Sequence, residues 1–272
     1  MPNSRRTKPR VMTTADFTPE LLDAEHDYLQ AEGAKSSDYW NKQPDGDKKL
    51  FARFKKGAKR YYRDGQDLLC CYCSSDLYRE QNTYDLEHIL DKADHPQHMF
   101  ALNNLAASCK SCNNSKGVAS VVAVGVDTTT VPTEPEHYTI VHPHIDEWSD
   151  FFTYDEAGRV RALNGNAKGQ NTIRICGISA VNATRLARSF TGNAGHAETQ
   201  LRKFFDYKSV AKKQACLDFL RALTPRLKVT DKIIDQLARE VERCREEQET
   251  LKAQRRQARR DAHAAQPLPA DE

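Results

Sequence analysis

Residues 70–117 read CCYCSSDLYREQNTYDLEHILDKADHPQHMFALNNLAASCKSCNNSKG, and the fold turns on this stretch. It opens on Cys70-Cys71-Tyr72-Cys73 and closes on Cys109-Lys110-Ser111-Cys112. A Cys-x-x-Cys knuckle aims two thiolates at one point, and two knuckles complete a tetrahedral zinc site. Cys71 is one residue out of register and is expected to point away. A thioredoxin-like redox pair needs only one knuckle in a βαβ setting, which does not fit here. Four thiolates also close the coordination sphere, so Cys70, Cys73, Cys109 and Cys112 are expected to hold a structural Zn²⁺. The gap between the knuckles is longer than in a compact zinc ribbon, so folded chain is expected to fill it.

Composition sets the frame around this stretch. The chain has 272 residues, with 41 Lys and Arg against 38 Asp and Glu, a formal charge of +3. It is long enough to bury a core without staples. No run approaches the ~18 apolar residues of a membrane span. The N-terminal MPNSRRTKPRVMTTADF has basic residues but no apolar region after them, so no secretory signal is expected. A cytoplasmic location with reduced thiols follows as an expectation. The isolated Cys176, Cys216 and Cys244 then read as small buried hydrophobes.

Residues 1–15 read as a flexible basic tail. Thr18-Pro19-Glu20 reads as a helix start, with Leu21, Leu22 and Leu29 as its apolar stripe. Residues 34–47 read as a polar connection. From Lys48 to Arg63, Leu50, Phe51, Phe54, Ala58, Tyr61 and Tyr62 recur at helical spacing. The other face carries eight positive charges and no acid, where an ordinary solvated face mixes signs. Lys55, Lys56, Lys59, Arg60 and Arg63 are therefore candidates for phosphate contact.

Beyond the knuckles, His137–Ile145 reads as extended, and Phe151–Tyr154 pairs with Arg159–Leu163 across a turn. Ser179–Phe190 and 197–223 read as helices. A long charged helix follows Thr230-Asp231, with Ile234, Leu237, Val241, Cys244, Gln248 and Leu251 in a 3-4 alternation. That run is too short for a confident coiled coil, so it serves either the protein's own body or a partner helix. AAQPLPADE reads as a disordered tail. The expected organisation is an N-terminal tail and basic helical segment (1–66), a knuckled core (67–118), an accessory α+β region (119–228), a charged helix (229–265) and a tail (266–272).

The ordered set Glu87, His88, Asn104-Leu105, Cys109-x-x-Cys112-Asn113 and Lys116 resembles the motif of the HNH endonucleases. The resemblance covers about 50 residues. It implies an α+β, mostly helical chain built on a ββα-metal core with Cys₄ zinc knuckles, flanked by N-terminal helices and by a C-terminal helical region with a small β-hairpin. It implies a nuclease acting on nucleic acid, DNA before tRNA or other RNA. Hydrolysis of a phosphodiester needs an activated water and charge relief at phosphate. His88 suits the general base, because imidazole takes a proton near neutral pH. Glu87 and Asn113 suit a hard cation, Mg²⁺ or Mn²⁺. By the resemblance Asn104 orders the loop that orients the base. Lys116, one helical turn from Asn113, is a candidate for phosphate contact. Asp91 stands where many relatives have proline. His95 and His98 read as solvated loop residues.

Downstream, Phe151–Val160, Thr172-Ile173 and Arg185 or Arg188 are similar to one subset, the PtuB-type HNH subunits of Septu and retron-linked anti-phage systems. That likeness implies a partner ATPase of the ABC/SMC type (PtuA-type), no membrane association, and homo- or hetero-oligomers through the C-terminal helices. The competing reading is a zinc-knuckle nucleic-acid-binding module or scaffold subunit without catalysis.

Overall fold

The computed structural model describes residues 10–17, 21–77, 83–223 and 228–264. The helix start at Thr18-Pro19-Glu20 and the C-terminal tail lie outside them. The chain is α+β, with two small antiparallel sheets among many helices, and divides into two compact units, Met1–Asn182 and Ala183–Glu272.

In the first unit, α1 (Asp23–Lys35) buries His26, Leu29 and Gly33. Leu21 is buried, whereas Leu22 is exposed, so the expected stripe loses that member. Gly33 is there for contact: a Cβ would come within 2.6 Å of the Phe100 ring. Residues 10–17 are packed rather than loose. Met12 is buried and its amide donates to the Tyr62 hydroxyl at 3.2 Å. The connection after α1 is less polar in effect than its composition, because a 3₁₀ turn over Ser37–Trp40 buries Tyr39 and Trp40.

Helix α2 (Lys48–Gly65) buries Phe51, Phe54, Ala58 and Tyr62, as the spacing predicts. Strand β1 (Tyr84–His88) pairs antiparallel with β2 (Leu105–Cys109), Tyr84 opposite Cys109 and His88 opposite Leu105. Helix α3 (Lys110–Lys116) follows β2 directly. Cys109 is its N-cap residue, and Gly117 ends it at φ +49°, a backbone region open to glycine.

The accessory residues then pass through a one-turn helix α4 (Trp148–Phe151) into a hairpin of β3 (Phe152–Tyr154) and β4 (Val160–Ala162). Asp155 closes the hairpin, with Oδ1 accepting the Ala157 and Arg159 amides and Oδ2 facing Arg159 Nε at 2.6 Å. Residues 137–145 make only an isolated bridge, Val122 with Tyr138, and no strand. Helix α5 (Ala167–Ile175) follows the hairpin, and α6 (Ile178–Ala187) runs through the unit boundary. At the turn between them, Gly177 sits at φ +59° against α3, where a Cβ would collide with the Ser115 side chain.

The second unit packs α7 (Ala194–Asp206), α8 (Val210–Leu223) and α9 (Lys228–Ala264). The expected single helix over 197–223 is two, interrupted at Tyr207–Ser209. Lys213 is buried where the three meet. Its ammonium donates to the Phe204 carbonyl at 2.8 Å and faces Glu240 at 3.1 Å. On α9, Ile233, Ile234, Leu237 and Val241 are buried and Cys244 is half-buried, but Leu251 is exposed. The first half of the 3-4 alternation therefore serves the protein's own body. No helix among the described residues is long and apolar enough to cross a membrane.

Candidate metal centre and the adjoining cleft

The first knuckle is a tight loop after α2. Asp67, Leu68 and Ser74 all adopt positive φ, and the Cys70 amide donates to the Ser75 carbonyl at 2.8 Å. Gln66, fully buried, ties the loop to β2. Its Nε2 donates to the Leu69 and Ala107 carbonyls, both at 2.8 Å, while its Oε1 accepts the Ala107 amide at 2.9 Å. The Cys71 amide adds a bond to the Ala107 carbonyl at 3.0 Å.

The two knuckles thus meet. The sulfurs of Cys70, Cys73, Cys109 and Cys112 lie within 4.8 Å of one another, and those of Cys73 and Cys109 are 3.7 Å apart. Zn–S bonds of ~2.3 Å in a tetrahedron put sulfurs about 3.8 Å apart. Amides already point at the sulfurs, Cys109 N at Cys70 Sγ (3.3 Å) and Cys112 N at Cys109 Sγ (3.5 Å), as a thiolate site requires. The four cysteines fit a metal ion such as zinc. Cys71 is buried but stands outside the group. None of the eight cysteines, all among the described residues, is in a disulfide.

The knuckled scaffold carries β1, whose alternation sends Asp85 and Glu87 to one face and Leu86 and His88 to the other. Glu87 turns toward α3. Its Oε1 lies 2.8 Å from Lys116 Nζ and accepts the Tyr72 hydroxyl at 3.1 Å, with the pair almost wholly buried. Burial raises the Glu87 carboxyl above its usual range, against the pull of Lys116. Lys116 also donates to the His88 carbonyl at 2.8 Å. One turn earlier on α3, Asn113 Nδ2 donates to Asp85 Oδ2 at 3.0 Å. Asp85 went unnoticed in the sequence, although its i, i+2 relation to Glu87 on a strand is a readable signal.

His88 faces the loop beyond β1. Its Nε2 lies 3.0 Å from the Met99 carbonyl, and its ring meets Trp40 edge-on at 4.4 Å. A carbonyl only accepts, so Nε2 carries the proton and Nδ1 keeps its lone pair. Burial pushes the imidazole down to about 3, with the Lys92 charge adding to it. The ring is therefore neutral at physiological pH. Asn104 fixes the loop that supplies Met99. It accepts the Leu90 amide at 2.7 Å and donates to the Leu90 and His98 carbonyls at 3.0 and 3.1 Å, fully buried.

A cleft of about 540 Å³ opens beside this loop, lined among others by Asn41, His88, Asp91, Asn113 and Lys116. His88 and Asn113 thus share one cleft, while the Glu87 carboxylate lies under α3 with Lys116. Asp91 Oδ1 accepts the Ala93 and Asp94 amides, both at 3.0 Å, and so holds the turn after Leu90. His98 is not solvated. It is buried with Nε2 2.8 Å from the Thr128 carbonyl, and His95 is half-buried beside it.

The basic charges of α2 do not form one face. Lys59 is buried against the Tyr84 carbonyl (2.6 Å), and Lys55 lies over the Trp40 and Phe51 rings. Arg63 lies over Tyr84 and pairs with Asp64 at 2.6 Å. Lys56 and Arg60 instead line a separate cavity of about 450 Å³ with Arg53, Phe17 and Tyr61. Searched against family models and against curated proteins, the chain matches none.

Proposed function

We propose that this chain is a metal-dependent nuclease of the HNH type that hydrolyses phosphodiester bonds in nucleic acid, with DNA favoured over tRNA or other RNA. The observation that carries the reading is the state of His88. It is a neutral imidazole with Nε2 engaged on a backbone carbonyl and the Nδ1 lone pair left over, beside a cleft that also receives Asn113. An imidazole so placed can act as general base for a water nucleophile once bound phosphate raises its proton affinity above the value of about 3 that burial and Lys92 impose.

The four-cysteine centre is the structural anchor in this reading, holding β2 and α3 so that the cleft keeps its shape. Glu87 and Asn113 would hold the hydrolytic Mg²⁺ or Mn²⁺, with Asp85 as a further carboxylate on the same face of β1. Such a cation supplies charge relief on phosphate and stabilises the leaving oxygen. Lys116 now provides the positive charge at Glu87, so cation binding there requires the ammonium to move aside. Asn104 acts as a positioning residue through the Met99 loop. Service as the effector of an anti-phage complex with an ABC/SMC-type ATPase rests on the sequence resemblance alone and belongs to the same proposal.

One observation favours a second reading. The Glu87–Lys116 pair is complete without a metal, which suits a zinc-knuckle binding module that does no chemistry. Cleavage of plasmid, single strands and total tRNA with Mg²⁺ or Mn²⁺, with and without EDTA, separates the two. The nuclease reading expects metal-dependent product that His88→Ala abolishes while zinc content and the far-UV circular dichroism of the folded chain are kept. Product from His88→Ala at the parental rate removes the base assignment, and no product from any substrate favours the binding module.

A further inference from the structure

Beyond Cys244, every residue of α9 from 245 to 261 is exposed. Its charges are sorted along the helix. Glu242, Glu246, Glu247 and Glu249 mix with Arg243 and Arg245, and then Lys252, Arg255, Arg256, Arg259 and Arg260 follow with no acid among them. At ~100° per residue these five fall within about 140° of arc, along about 12 Å of axis. Asp261 lies on the opposite side and accepts from Gln257 at 2.8 Å. None of the five has a hydrogen-bond or ion-pair partner among the described residues. Basic residues near a helix C-terminus favour the macrodipole, but only those in the last turn contribute appreciably. Five unpaired cations on one face go beyond that role and also repel one another.

We infer that the Lys252–Arg260 face of α9 is a second nucleic-acid contact, which grips the phosphate backbone of a duplex outside the His88 cleft. Four of the five are arginines, whose planar fork matches phosphate oxygens two at a time. The segment KAQRRQARR holds no large apolar or aromatic side chain. Arginines can anchor a protein interface, but a protein partner would normally add a packed apolar core around them, and a single strand would add aromatic rings for base stacking. Duplex phosphate, dense and regular, needs neither. The inference deepens the nucleic-acid part of the proposed function and rests on polyanion recognition, not on hydrolysis.

The test is fluorescence anisotropy of a short labelled DNA duplex with the full chain, without added divalent cation, over a salt series. The combined variant Arg255→Gln, Arg256→Gln, Arg259→Gln, Arg260→Gln should bind about tenfold more weakly or worse at moderate salt. Its slope of log K on log salt should fall by roughly 3 to 4. The matching Arg→Lys variant should keep the parental slope, with helix content of both checked by circular dichroism. Unchanged affinity and slope in the Gln variant overturn the inference. So does a Lys variant that falls as far as the Gln variant, or polyglutamate bound as tightly as duplex at equal charge. A parent that binds with this salt dependence but cuts nothing supports the inference and removes only the nuclease reading.

Discussion

At the scale of single residues, burial sets the chemistry of the polar groups around the cleft. Asn104 satisfies three backbone groups at once. Asn104→Ala leaves them unpaired in the interior, an expected loss of about 2–3 kcal/mol in urea unfolding. His142 shows the same burial through pH. Its Nδ1 accepts the His144 amide at 3.2 Å, while Nε2 is buried with no partner among the described residues. Burial holds its imidazole well below the usual range, with the His144 and Lys168 charges adding to the effect. The unfolded chain protonates this ring near pH ~6.5 and the folded chain does not. Stability is therefore full above that pH and declines as pH falls below it, by up to about 1.4 kcal/mol per unit for one proton. His142→Gln, which keeps an acceptor, should show a shallower decline between pH 6.5 and 5. Equal slopes would mean that His142 does not carry the effect. The ordering role of Asn104 was legible through the motif, but its three backbone partners and the burial of His142 were not, because they depend on carbonyls, amides and charges that only the folded backbone brings near.

At the scale of elements, β1, β2 and α3 were legible and their internal wiring was not. Knuckle spacing fixes which cysteines converge, and strand alternation separates Glu87 from His88, as ideal pleating requires. Which cation answers Glu87 could not be read, since Lys116 lies a whole strand, a loop and a helix later. The eight positive charges of α2 misled in the same way. A count of charges does not say that Lys59 lies under Tyr84 while Lys56 and Arg60 face another cavity. The merged helix over 197–223 failed for a different reason. Both halves keep one apolar period, and the break is marked only by Ser209, a weak cap to Lys212. The Glu87–Lys116 pair can be weighed by a double-mutant cycle. Lys116→Met should cost about 3–5 kcal/mol by leaving a buried carboxylate unanswered, and Glu87→Gln with Lys116→Met should recover much of that loss. Additive losses would show that the two side chains do not depend on each other.

At the scale of the whole molecule, the division into two units separates two kinds of stabilisation. The first unit places its strands and α3 around four cysteines that could hold a metal ion. In the second unit α7, α8 and α9 close over Leu201, Phe204, Leu217, Leu220 and Leu237, with the Lys213–Glu240 pair between them. Metal binding is linked to folding only where the ligands are, so removing the metal should loosen one unit and spare the other. Hydrogen exchange read by mass spectrometry resolves this. After treatment with a zinc chelator, or in Cys112→Ser, amides of 105–117 should exchange at least tenfold faster, whereas those of α7 and α8 should keep their protection. If the cysteine cluster only packs as four buried thiols, chelation should leave 105–117 as slow as before. If protection is lost in both units together, the chain melts as one cooperative body and the division does not extend to its energetics.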